Sequence, residues 1–260
     1  MSTKPQALNA DESRLFSHWR TSALSRMPYF ATLLFAMTPL STPGLGTMAV
    51  DKHLRLYIDF DTASEWGVRK SAAVPLHETG HIFGGHATLA ENLGVTAQSH
   101  KVWNIAGDMA INDDLIHAGI TDLSDAVLPA DAGFSDFRTP VEYYRHLIDL
   151  VGSPTPSTDS ERSGGGGDGE PFKGCGSGSG GERAPVELDT SDDLDGIAPA
   201  MSEGDIESLR RITGHEIEDH SSRRPGSVPA GILSTVTGLV GKSEVTWHQL
   251  LARAFRNSVR

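Results

Sequence analysis

The chain has 260 residues, 34 of them acidic and 22 basic, for a formal charge of −12 and a mean hydropathy of −0.26. Long apolar-periodic segments exclude a wholly disordered chain, and the 28 glycines follow no period of three, which excludes a collagen-like one. The single cysteine, Cys175, excludes an intrachain disulfide framework and any Cys-only zinc finger.

In chain order, the polar and mixed-charge start reads as no signal peptide. The most apolar run, residues 29–37, is far shorter than the roughly 20 residues a membrane span needs. A cytoplasmic chain without membrane association is expected. Asp11 or Ser13 would cap a helix reaching about Met37, with Leu15, Trp19, Leu24, Met27, Phe30 and Leu33 at helical spacing. Residues 38–46 read as a turn-rich connector, and 47–50 as a short strand. In 53–60, Leu54, Leu56, Ile58 and Phe60 alternate with His53, Arg55, Tyr57 and Asp59, the period of a half-buried strand. Asp51-Lys52 would suit a hairpin between the two. Helices are expected at about 69–83, 100–118 and 140–151, the last with Pro140 in its first turn.

Residues 152–181 then hold 11 of the 28 glycines, and 152–207 carry 13 acidic against 3 basic residues, or −10 of the −12. The low pI therefore describes one stretch, and the rest of the chain is nearly neutral. Such composition reads as a flexible loop over 152–200. Helical patterns return at 202–220, with Ser202 and Asp205 as a capping pair, and at 230–240 and 245–255. The expected class is α+β, mostly helical with a small sheet or hairpin ahead of the 69–83 helix. No basic-aromatic patch points to nucleic acid.

His77-Glu-Thr-Gly-His81 is an H-E-x-x-H motif within the 69–83 helix. Positions i and i+4 share a helix face, so both imidazoles can bind one zinc ion. Glu78, about 100° round from His77, could act on a water molecule without being a ligand. A third ligand is needed, and His86, Glu91, His100, Asp113 and Asp114 are candidates. Asp108 is the best of them, because a carboxylate in the apolar-periodic segment 102–112 needs a partner. Asn104 and Asn112 share its face at i±4. Cys175, flanked by Gly174, Gly176 and Gly178, is either a small residue in a flexible loop or a latch ligand whose thiolate takes the open zinc position. His215 and His220 have the wrong spacing for a second motif. Tyr143, Tyr144 and His146 are weak candidates for an oxyanion donor.

Together with Trp103-Asn-Ile-Ala-Gly-Asp108-Met-Ala-Ile-Asn112, Gly174-Cys-Gly-Ser-Gly178 and Val245-Thr-Trp247-His-Gln-Leu250, the motif resembles a bacterial family of unestablished function. That family is described as a metallopeptidase domain and stands ahead of a von Willebrand factor A-like domain in many proteins. The resemblance covers most of residues 10–256. It implies a zincin-like fold, a bacterial or phage setting, His77 and His81 as ligands, Glu78 as base and Asp108 as third ligand. It also implies a von Willebrand A-like or MoxR-type ATPase partner.

The resulting expectation is a zinc-dependent metallopeptidase acting on a protein or peptide substrate. Residues 1–151 would form the metal-binding part, 152–200 the loop, and 201–260 a helical part packed on the same domain. Two alternatives stand beside it: a non-catalytic zinc-stabilised scaffold of a larger assembly, and a metal-dependent amidase on a small substrate. An open groove along 53–60 would favour the peptide.

Overall fold

The computed structural model describes residues 4–123, 126–151, 174–181 and 183–241. The helix expected at 245–255, with Trp247, lies outside them. Among the described residues the chain is α+β, with nine α-helices and one three-stranded sheet. No described helix is long and apolar enough to cross a membrane.

Helix α1 (Ala10–Arg26) starts just ahead of both expected caps, Asp11 and Ser13. Asn9 is the cap: its side chain accepts from the N–H groups of Asp11 and Glu12, and Glu12 accepts from Asn9 N–H in return. The single helix expected to run to Met37 is in fact broken. Pro28 offers no N–H and disfavours helical backbone at Met27, which leaves the helix at φ −131°, ψ 72°. A short turn at Pro28–Phe30 then leads into α2 (Ala31–Ala36).

The expected connector contains a strand, β1 (Thr38–Ser41), parallel to β3 (Arg55–Ile58), while β2 (Met48–Val50) pairs with β3 in antiparallel fashion. The order β1-β3-β2 leaves Pro39 on an edge strand, where its missing N–H is tolerated. Asp51 closes the β2–β3 turn by accepting from the N–H groups of His53 and Arg55 and from the Tyr57 hydroxyl.

Strand β3 was expected to be half-buried, yet all four of its residues are buried. Leu56 and Ile58 join the main core with Trp19, Phe30, Leu33 and Leu76. The other face, carrying Leu40, Ala49 and Tyr57, is covered by Ala184, Val186 and Ala198. Buried Arg55 donates to the carbonyls of Leu188 and Asp189, and the Tyr57 hydroxyl accepts from Leu188 N–H. The described second half of the 152–200 loop is therefore a packed layer of the sheet. Leu188 and Leu194 pack against the same cluster, and side chains of the sheet satisfy part of the backbone of the covering segment.

Beyond the sheet come α3 (Phe60–Glu65), α4 (Gly67–Gly84), α5 (His86–Leu93), α6 (His100–His117), α7 (Pro140–Val151), α8 (Glu203–Arg223) and α9 (Ala230–Val240). Helix α4 packs against α1, α2, α6 and α8, which fixes the motif helix inside the fold. Gly85, at φ 65°, ends it in the left-handed conformation glycine favours, so α5 can begin at once. Helix α8 starts from Ser202, whose hydroxyl accepts from Asp205 N–H as its sequence suggests.

Candidate metal centre

Three separate segments deliver one cluster. Helix α4 presents His77, Glu78 and His81; α6 presents Asp108; the segment after residue 173 presents Cys175. One ligand atom from each of His77, His81, Asp108 and Cys175 lies within 4.8 Å of the others. His77 Nε2 and His81 Nε2 are 3.0 Å apart, and Asp108 Oδ1 is 3.4 and 3.3 Å from them. Cys175 Sγ is 3.4 Å from His77 Nε2 and 3.9 Å from Asp108 Oδ1. His77, Glu78 and His81 are buried, whereas Asp108 and Cys175 keep partial exposure, so the cluster is reached from their side.

The electrostatics follow from burial and this crowding. Burial works against charge on His77, but the neighbouring Asp108 outweighs it and raises the imidazole to about 9. Conversely, His77 and His81 hold the Asp108 carboxylate well below the usual range in spite of its burial. His81 is lowered by burial, with the His77 charge adding to the effect. Burial, reinforced by Asp108, pushes Glu78 up to about 8, and its Oε2 has no hydrogen-bond partner. The Cys175 thiol is pushed well up by burial and by the charges of Glu78 and Asp108. Two imidazoles, a carboxylate and a thiol at these separations form a donor set that could hold a metal ion.

Residues 16–260 match a protein family described as "putative metallopeptidase domain". The chain belongs to this family. No curated protein and no solved structure matches it. Membership of the family and the donor set agree on a metal-dependent hydrolase.

Two residues that set the direction of the imidazoles were not singled out for that role by sequence reasoning. Asn112 Oδ1 accepts from His77 Nδ1 at 2.9 Å, and the Asn112 amide donates to the Val127 carbonyl at 3.0 Å, which fixes its orientation. In the neutral imidazole this bond keeps the proton on Nδ1 and leaves the lone pair on Nε2. His86 Nδ1 stands 2.9 Å from His81 Nδ1, so His86, considered as a third ligand, instead backs His81. The His86 ring is fully buried and packs over Gly84 and Gly107, where a Cβ would come within 2.5 and 2.9 Å of its nitrogens. The i+4 spacing of Asp108 and Asn112 was the available signal, since it places both over α4.

The other candidates have different work. Asp113 accepts from Phe137 N–H and the Tyr143 hydroxyl, and Asp114 accepts from Gly231 N–H at the start of α9. Glu91 and His100 are not among the converging donors. The Tyr143 hydroxyl is engaged with Asp113 and the Ser135 carbonyl, and Tyr144 packs edge-on against Trp103. His146 approaches Arg138 on the surface. His215 pairs with Glu218 on an exposed face, and His220 meets the Tyr29 ring. Strand β3 is central in its sheet and all four of its residues are buried, so the groove expected along 53–60 does not form on it; the edge beside α4 is that of β2, where Val50 N–H donates to the Cys175 carbonyl.

Proposed function

We propose that this protein is a zinc-dependent metallopeptidase. The observation that carries the reading is the convergence of His77 Nε2, His81 Nε2 and Asp108 Oδ1 beside the buried, unpartnered Oε2 of Glu78. Zinc bonds of about 2.0–2.3 Å put tetrahedral donors roughly 3.3–3.8 Å apart; the two separations to Asp108, 3.3 and 3.4 Å, match that spacing, and the 3.0 Å between the imidazoles is slightly shorter than it. When bound, zinc would supply Lewis-acid polarisation of a carbonyl and acidification of water.

The remaining work falls to the chain itself. Asn112 and His86 engage the two Nδ1 atoms and leave both Nε2 atoms facing Asp108 Oδ1, the support that metal-binding histidines would need. Glu78 Oε2, which has an unused acceptor site, takes the proton from the attacking water and returns it to the departing amine. The outer edge of β2, next to α4, supplies backbone groups that an extended peptide can pair with, which favours a peptide over a small amide. Glu78→Gln tests the reading. The variant should keep stoichiometric zinc and lose at least about 100-fold in hydrolysis, scored by metal analysis and proteomic cleavage profiling. Turnover retained by the purified variant rejects the mechanism.

A non-catalytic, closed zinc site is the competing reading, favoured by one observation: Cys175 Sγ stands where a fourth donor would.

A further inference from the structure

We propose that residues 174–178 occupy the substrate channel of their own active site, with Cys175 as a displaceable fourth metal donor. The proposal rests on the metal-site reading above and concerns how that site is controlled.

Three independent features place the segment there. The first is the side chain: Sγ lies 3.4 Å from His77 Nε2 and 3.9 Å from Asp108 Oδ1, on the side of the cluster that is reached from outside. A catalytic zinc site needs one position free of protein, and Sγ takes it. The second is the backbone. Val50 N–H donates to the Cys175 carbonyl at 3.0 Å, so the segment bonds to the outer edge of β2 as an added strand would. The close approach requires glycine, since Cβ atoms at Gly176 and Gly178 would stand 2.6 and 2.9 Å from the Val50 carbonyl oxygen. Substrate and segment therefore compete for one edge and one donor position.

The third feature is an anchor on the far side of the turn. Glu187 Oε1 accepts from Ser177 N–H at 2.8 Å and from Ala184 N–H at 2.9 Å. Trp103 Nε1 donates to the Ser179 carbonyl at 2.8 Å, and the Ser179 hydroxyl reaches Asn104 Oδ1. Ser177 and Ser179 are held by residues that take no part in the donor set, so Cys175 can withdraw about that pivot while the turn keeps its attachment. Metal binding with Cys175 in place releases the Sγ proton to solvent, and withdrawal returns a proton to the thiolate.

Cobalt(II) in the full-length chain provides the test. The wild type should show visible ligand-field bands and a near-ultraviolet thiolate-to-cobalt charge-transfer band. Cys175→Ser and Cys175→Ala should keep the visible bands and lose the other. Absence of visible bands in the wild type would sink the metal-site reading itself. Visible bands without the charge-transfer band would overturn only the role of Cys175. The variants should also bind zinc at least about tenfold more weakly in chelator competition. Finally, zinc-loaded Cys175→Ala should cleave a proteome-derived peptide pool at least tenfold faster than the wild type. Equal rates, zero included, mean that the cysteine is a permanent structural ligand and reject the proposal.

Discussion

His77 Nδ1 and Asn112 Oδ1 lie 2.9 Å apart, and both side chains are buried. Because Asn112 also donates to the Val127 carbonyl, its oxygen can face only the imidazole. Asn112→Ala should therefore lower metal affinity about 10–100-fold while leaving the helical content intact. Chelator competition together with far-ultraviolet circular dichroism reads both quantities. Unchanged affinity would show that His77 needs no support.

A methyl group tests the second support. At Gly107 a Cβ would stand 2.9 Å from His86 Nδ1 and 3.6 Å from His81 Cε1. Gly107→Ala should cost roughly 1–3 kcal/mol through overpacking, with weaker metal binding as the ring of His86 shifts. Gly238→Ala, on α9 with nothing within 4 Å, should instead stabilise by about 0.5–1 kcal/mol. Urea melts of the two variants should move in opposite directions.

Arg55 joins the sheet to its outer cover. Its side chain is fully buried, 3.6 Å from Asp51, and donates to two carbonyls of the covering segment. Arg55→Ala leaves Asp51 without its cation and should cost about 3–5 kcal/mol. Protease should then cut first within residues 183–198. Cleavage elsewhere, with this stretch still protected, would contradict the assignment.

Asp114 gives the fold a pH dependence of definite sign. It reaches from α6 to accept Gly231 N–H at 3.0 Å, at a helix whose own N-cap residue, Pro229, provides no side-chain bond. Burial first, and the adjacent Asp113 second, raise it from the ordinary 3.8 to about 8. The unfolded chain ionises this group near 3.8 and the folded chain only near 8. Its stabilising contribution is thus full below about pH 4 and is lost as pH rises through 8. Asp114→Asn keeps an oxygen acceptor and removes the charge. Its urea midpoint should fall less than that of the wild type between about pH 5 and 9, and parallel curves would refute the assignment.

The legible part of the site was what a single helix can encode. Four-residue spacing set His77 and His81 on one face, and a carboxylate in an apolar-periodic segment marked Asp108. The pairing of Ser202 with Asp205 likewise needed only three residues of context. The His77–Asn112 bond joins positions 35 apart and depends on how α6 crosses α4, which no local pattern states. His86 was visible as a histidine but not as a support, because Gly85 turns the chain before it. The packed layer at 184–198 was hidden for a different reason: its composition resembles that of a loop, and its stability comes from Arg55 and Tyr57 on another strand. Strand β1 was masked by Pro39, which an edge position tolerates.

The covering layer at 184–198 and the turn that carries Cys175 are one continuous run of chain, joined through Glu187. Thermodynamic linkage follows from that continuity. An ion held partly by Cys175 would raise the protection of amides at 184–198, on the far side of the sheet, and loosening of that layer would weaken the ion's grip by the same free energy. Hydrogen exchange at a surface with no chemistry of its own thus becomes a gauge of what occupies the site.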